Sequence, residues 1–148
     1  MTSTQRQSNN RIVVGVDGSN ASSAALEWAG RQAEVTGSVL ELVTAWEWPT
    51  TYGAPFTFTP EWNPAADADL VIQSAVKEVR EAHPDIEIRT TVEEGHPAPV
   101  LVKASQGADL LVVGCRGHGE FVGMLLGSVS EHCVTNARCP VLVLRGGR

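Results

Sequence analysis

The residues with the clearest chemical potential lie between Gly114 and Ser130, where Gly114-Cys115-Arg116-Gly117 is followed by nine residues and then Gly127-Ser128-Val129-Ser130. Glycines let backbone N–H groups approach phosphate oxygens, and a helix opening at Ser128 would add unpaired amides and a favourable dipole. Ser128 and Ser130 can donate hydroxyl hydrogen bonds, and Arg116 can neutralise a triphosphate. A lone pair of glycines would do no more than make turns. Here four glycines and two serines follow a strand-like run and precede a helix-like one, which favours phosphate binding. The stretch is not a P-loop, because no lysine occurs between Lys103 and the C-terminus. Gly15-Val16-Asp17-Gly18 lacks the Gly-x-Gly-x-x-Gly spacing after the first strand, which argues against a nicotinamide dehydrogenase.

Other reactive residue types support weaker readings. Asp17 follows an apolar run, where a carboxylate more often caps a turn or accepts from a ribose than acts as a base, and no second acid is spaced to complete a general acid/base pair. Cys115 and His118 could suggest a thiol nucleophile, but no orienting third group accompanies them. His96, His118 and His132 with Cys115, Cys133 and Cys139 lack Cys-x2-Cys or His-x3-His spacing, and His132 and Cys133 would point to different helix faces, so a zinc site is not expected. Arg138 reads as a solvated surface charge.

The elements that must position these residues follow from pattern. Arg11–Val16 (RIVVGV) is a short β-branched run bounded by Asp17-Gly18-Ser19-Asn20, hence a buried strand. Ser19, Asn20 or Ser22 can cap a first helix that ends near Gly37. Ser38–Ala45 reads as a second strand, and after the break from Trp46 to about Pro64 a second helix carries Ile72, Ala75, Val76 and Val79 on one face until His83-Pro84 stops it. Asp85–Val92 alternates and suits a strand near a sheet edge. Pro97 opens a third helix, which ends before Gly107. Asp109–Gly114 reads as a central strand, about Ser128–Asn136 as a helix and Pro140–Leu144 as the last strand. Strands alternating with helices imply an α/β fold: a doubly wound five-stranded parallel sheet, Rossmann-like, with helices on both faces and a ligand crevice at the carboxyl ends of strands one and four. The residues just after Val16, Ala45 and Val113 border that crevice.

At 148 residues, 43% hydrophobic and 19% charged, the chain suits one domain with a sizeable core. A net charge of −6 gives no electrostatic reason to seek nucleic acid or anionic lipid. No apolar run is long enough to span a membrane, the polar residues 1–10 read as a disordered tail rather than a secretory signal, and three cysteines suit free thiols in the cytoplasm.

With these residues in view, the sequence resembles the universal stress protein family. Gly114-x2-Gly117-x9-Gly127-Ser128 is similar to that family's ATP-binding motif. Further matches are Val14-Gly-Val-Asp-Gly-Ser19, Glu94-Gly-His-Pro-Ala98, Ala108-Asp-Leu-Leu-Val-Val-Gly114 and Cys139-Pro-Val-Leu-Val-Leu144. The likeness covers 11–148 as one family domain, apart from the Trp46–Pro64 insertion. It implies the strand order 3-2-1-4-5, a homodimer formed through the strand Val141–Leu144, and ATP, with any Mg bound through its phosphates. Asp17 would hold ribose or phosphate. Gly15, Val16, Ala45 and Val113 would line an adenine pocket, and Gly114, Gly117, Gly127, Ser128, Val129 and Ser130 would wrap the ribose and phosphates. Cys115 departs from the small polar residue more usual there.

The expected function is that of an ATP-binding regulatory stress-response protein. Hydrolysis should be slow, because no Lys finger, acidic metal cluster or water-positioning residue accompanies the loop. The rivals are an ATPase or nucleotidyl-type transferase using Asp17 and Arg116, and a module for AMP or cyclic AMP. Trp46, Trp48, Tyr52, Phe56, Phe58 and Trp62 should pack on the body, over the adenine pocket or against a partner chain, since water is a poor place for so many aromatic rings.

Overall fold

The apolar runs and capped helices assemble into alternating strands and helices in a computed structural model that describes residues 10–48, 63–115 and 127–145. The strands are β1 (Arg11–Gly15), β2 (Val39–Trp46), β3 (Ile88–Glu94), β4 (Leu110–Cys115) and β5 (Val141–Arg145). The helices are α1 (Asn20–Thr36), α2 (Pro64–Ala82), α3 (Pro97–Ala104) and α4 (Ser128–Asn136). All five strands are parallel, in the order β3-β2-β1-β4-β5. Arg116, Gly117, most of the tail expected at 1–10 and the aromatic residues from Tyr52 onward lie outside the described residues.

Successive strand side chains point to opposite faces. In β1, Ile12 and Val14 join Leu40, Leu42 and Val112 under α1 and α2, where they meet Leu26, Ala29, Ala33, Ile72, Ala75 and Val79. Val13 faces the other way and joins Val43, Leu111, Val113, Val100, Leu101 and Cys133 beneath α3 and α4. Covering both faces explains why β1 and β4 read as unbroken apolar runs.

Local chemistry sets the ends of the elements. Ser19 caps α1, its Oγ accepting from the Ser22 amide at 3.2 Å. Asn63 caps α2, its Oδ1 accepting from Ala65 and Ala66 at 2.9 and 3.3 Å, with Pro64 in the first helical position. Strand β3 begins at Ile88 rather than Asp85, because residues 84–86 form a turn and the ladder to β2 starts only at Leu40 opposite Ile88. Ile86 still packs on the core, so its alternation reports burial without pairing.

The amino ends of the strands are tied together by Arg11. Its guanidinium donates to Glu41 at 2.7 Å, to the Ala104 carbonyl at 2.8 Å and to the Gln106 carbonyl at 2.7 Å. The second carboxylate oxygen of Glu41 accepts from Thr91 at 2.7 Å, so one network links β1, β2, β3 and the end of α3. Neither charge is left without compensation.

Candidate functional site

Strand β1 leads into α1 on one face, while β4 leads toward α4 on the other, and the crevice between them opens at their carboxyl ends. A cavity of about 430 Å³ occupies that position. Its walls bring together Gly15, Val16, Asp17, Ala45, Val113, Gly114, Gly127, Ser128, Val129 and Ser130. These are all the site residues expected from sequence that the structure describes; Arg116 and Gly117 lie outside the described residues.

One wall is held rigidly. The Val16 amide donates to the Val43 carbonyl at 2.9 Å, and the buried Thr44 hydroxyl donates to the Val16 carbonyl at 2.9 Å. The turn beyond is tied by the Asp17 amide donating to Ser22 Oγ at 3.2 Å and by the Ser19 amide donating to Asp17 Oδ1 at 2.9 Å. The Asp17 carboxylate thus caps its own turn while standing exposed at the cavity.

The opposite wall is the opening of α4. Its first backbone bond within the helix runs from the Glu131 amide to the Gly127 carbonyl at 2.9 Å, so the amides of Ser128, Val129 and Ser130 precede the helical ladder. Gly127 is the N-cap and has no side chain to occupy them. These donors, the Ser128 hydroxyl and the positive helix end suit an anion. Buried Ser130 instead directs its hydroxyl to the Gly114 carbonyl at 3.4 Å.

Two glycines of the motif do different physical work. A Cβ on Gly114 would lie 2.4 Å from the Ala21 carbonyl oxygen and 2.5 Å from its carbon, so glycine there is what lets the first turn of α1 sit against β4. A Cβ on Gly127 would meet nothing within 4 Å among the described residues, and its φ of −67° is open to any residue. Packing requires glycine at 114, and among the described residues nothing requires it at 127.

Sequence reasoning did not assign Ser19, Ala21, Ser22, Val43, Pro97 and Leu101 to the cavity. Ser19 and Ser22 were legible as cap residues, and their position straight after β1 is the signal that would have added them. Leu101 is a core residue of α3 whose side chain reaches the backbone of Gly15, which pattern does not reveal. Among the described lining residues the only charged side chain is Asp17.

The family model for universal stress proteins matches residues 8–145. The chain belongs to the universal stress protein family. Universal stress proteins Rv2623 and Rv1996 of Mycobacterium tuberculosis are 37% identical over 140 residues and 35% identical over 141. Each alignment takes in 90% of this chain and 44% or 43% of the relative, so the chain spans less than half the length of these curated relatives. Among solved structures, a universal stress protein in complex with cAMP is 25% identical with a TM-score of 0.67, covering 93% of this chain and 98% of that one. A universal stress protein from Archaeoglobus fulgidus is 28% identical with a TM-score of 0.65, covering 96% of this chain and 47% of that one. A family member from Arabidopsis thaliana with AMP bound, 22% identical with a TM-score of 0.64 over 93% of this chain and 92% of that one, shares the fold.

The remaining described candidates of this family member fall away from the crevice or into its wall, and His118 lies outside the described residues. Cys115 is buried in the cavity wall. Cys133 is buried under α4, and burial first, with the neighbouring Cys139 second, pushes its thiol up to about 11. His132, next in sequence, is exposed. Among the described residues no three His, Cys, Asp or Glu side chains come together as a metal site, and no helix is long and apolar enough to cross a membrane.

Proposed function

We propose that this chain is an adenine-nucleotide-binding regulatory protein of the universal stress type and that its nucleotide is ATP. The observation that carries the reading is the crevice between β1 and β4, which has apolar walls at Val16, Val43, Ala45 and Val113 on one side and the uncapped amides of α4 on the other. The first suits a flat base, and the second suits phosphates. The relative in complex with cAMP supports an adenine nucleotide. In this reading Asp17, at the cavity, accepts from ribose hydroxyls, and the amides of Ser128, Val129 and Ser130 donate to phosphates. Arg116 and Gly117 belong to the same motif, and a Mg ion would ride on the phosphates.

Binding rather than turnover is the favoured activity. Among the described lining residues Asp17 is the sole charged side chain, so these walls add no cation to Arg116 and any Mg for the charge that develops in phosphoryl transfer. The reading includes a homodimer joined through Val141–Leu144, whose four apolar side chains are only half-buried on an edge strand. It also takes the protein to act in the cytoplasm, in keeping with free thiols at Cys133 and Cys139.

Isothermal titration with ATP, AMP and cyclic AMP, together with mass spectrometry of any co-purifying ligand, tests the assignment. ATP should bind most tightly. Tighter binding of AMP or cyclic AMP would move the protein to the monophosphate class, and no binding by any of the three would remove the nucleotide reading. Phosphate release at many turnovers per minute would instead make it an ATPase.

A further inference from the structure

A second cavity, of about 290 Å³, lies in the groove between α1 and α2. Its floor is Val16, Leu26, Val71 and Ala75, and its rim is Ser23, Leu70, Ser74 and Glu78. Leu70 is 64% exposed on this rim, although it sits within a helix whose other large apolar residues, Val71, Ile72, Val76 and Val79, are buried or partly so. At the far end the groove closes where the His83 ring lies against Gly30 and pairs with Glu34 at 2.5 Å.

The charges of α2 are sorted about this groove. Asp67 and Glu81 continue the stripe of Leu70, Ser74 and Glu78 at i±3 and i±4 spacing, so three acids stand there against one base, Lys77, which borders the stripe three residues after Ser74 and four before Glu81. The other base, Arg80, stands on the far flank with Gln73 and Asp69. Neither Glu78 nor Glu81 forms an ion pair with another described residue. An exposed leucine over an apolar floor, bordered by an excess of carboxylates, is complementary to a segment that carries apolar anchors between cations.

We propose that the α1–α2 groove is a docking site for a basic amphipathic segment of a partner protein, whose apolar side chains cover Leu70 and Val71 and whose lysines or arginines face Asp67, Glu78 and Glu81. The occupant is chosen by this charge pattern. A second copy of the chain, with its net charge of −6, would bring no general excess of cations to the groove. The site stands apart from the nucleotide reading, although Val16 and Ser22 line both cavities.

The test uses the full chain and a labelled synthetic helical peptide with leucines at i, i+3, i+4 and i+7 flanked by lysines, followed by fluorescence anisotropy. The lysine peptide should bind and weaken as salt is raised. Glu78→Lys and Leu70→Ser should each weaken it by at least about tenfold, while Arg80→Gln, on the far flank, should leave it unchanged. All three residues are exposed, so circular dichroism should report an intact fold in each variant. Equal binding of the same peptide with glutamates for lysines would overturn the proposal, as would an affinity indifferent to both groove variants. Binding seen only after residues 49–62 are replaced by a glycine-serine linker would assign the groove to the chain itself. An oligomer dispersed by Leu70→Ser would assign it to a second copy, and either result refutes a partner segment.

Discussion

Replacing Gly127 by Asp should push folding and ligand binding in opposite directions. On the folding side, a Cβ at 127 meets nothing within 4 Å among the described residues and the backbone, at φ −67° and ψ 165°, suits aspartate. Asp is the better N-cap by a few tenths of a kcal/mol, and a carboxylate at the helix start contributes roughly 0.3–1 kcal/mol more. The thermal midpoint should therefore hold or rise by about 2–4 °C. On the binding side, the new carboxylate would accept from the amides of Val129 or Ser130, removing donors that the proposed function assigns to phosphate. It would also place a charge roughly 6 Å from the phosphates, which at an intermediate effective dielectric near 40 costs about 1.4 kcal/mol per unit charge. ATP affinity should fall at least tenfold. Calorimetric titration and a thermal melt on one preparation read both effects, with Gly127→Ser as the uncharged cap that should lose less affinity. Unchanged ATP affinity with a raised midpoint would show that the α4 amides do not hold the phosphates. A midpoint lowered by several degrees would refute the cap geometry.

Gly114→Ala should destabilise the fold by about 1–3 kcal/mol or more, read by urea denaturation, because its Cβ would press on the Ala21 backbone. Arg11→Met should cost about 3–5 kcal/mol, since Glu41, 15% exposed, and two carbonyls would lose their partner. Cys133 has a folded pKa of about 11 against 9.0, so the folded form keeps its proton where the unfolded form has lost it. Its stabilising contribution is complete below pH 9 and is lost between pH 9 and 11, and a Cys133→Ala variant should show a flatter decline in thermal midpoint across that window. Val143→Lys on β5 should turn the proposed dimer into a monomer by light scattering, and a wild type already monomeric at micromolar concentration would refute that interface.

The fold was legible because its strongest signals are covered on both sides. Ile12, Val13 and Val14 have no polar neighbour to break the run, which is how a buried parallel strand must read, and Asp17-Gly18-Ser19 ends it with turn chemistry. Ile86 misled because packing and pairing share a period of two, and only the turn at residues 84–86 separates them. Asn63 went unread as a cap because it follows a long irregular stretch with no apolar rhythm to announce a helix. At the site, backbone-forming positions such as Gly15, Val16 and Gly127 could be placed by topology and spacing. Leu101 and Pro97 could not, because they reach the cavity from a helix whose tilt over the sheet depends on tertiary packing. What Gly114 does was also hidden, since a glycine that admits a helix and one that admits a phosphate look the same in a string of letters.

The contact between Gly114 and Ala21 changes how the glycine signature should be interpreted in descent. A lineage that abandoned its nucleotide would still be held to glycine at the position of 114, because selection on foldability alone forbids a side chain there. The position of 127 would be released at once and drift toward Ser, Asp or Asn, the residues that best begin a helix. Gly127 is therefore the informative letter of the motif: its retention, where folding asks for something else, is the mark of a crevice still in use.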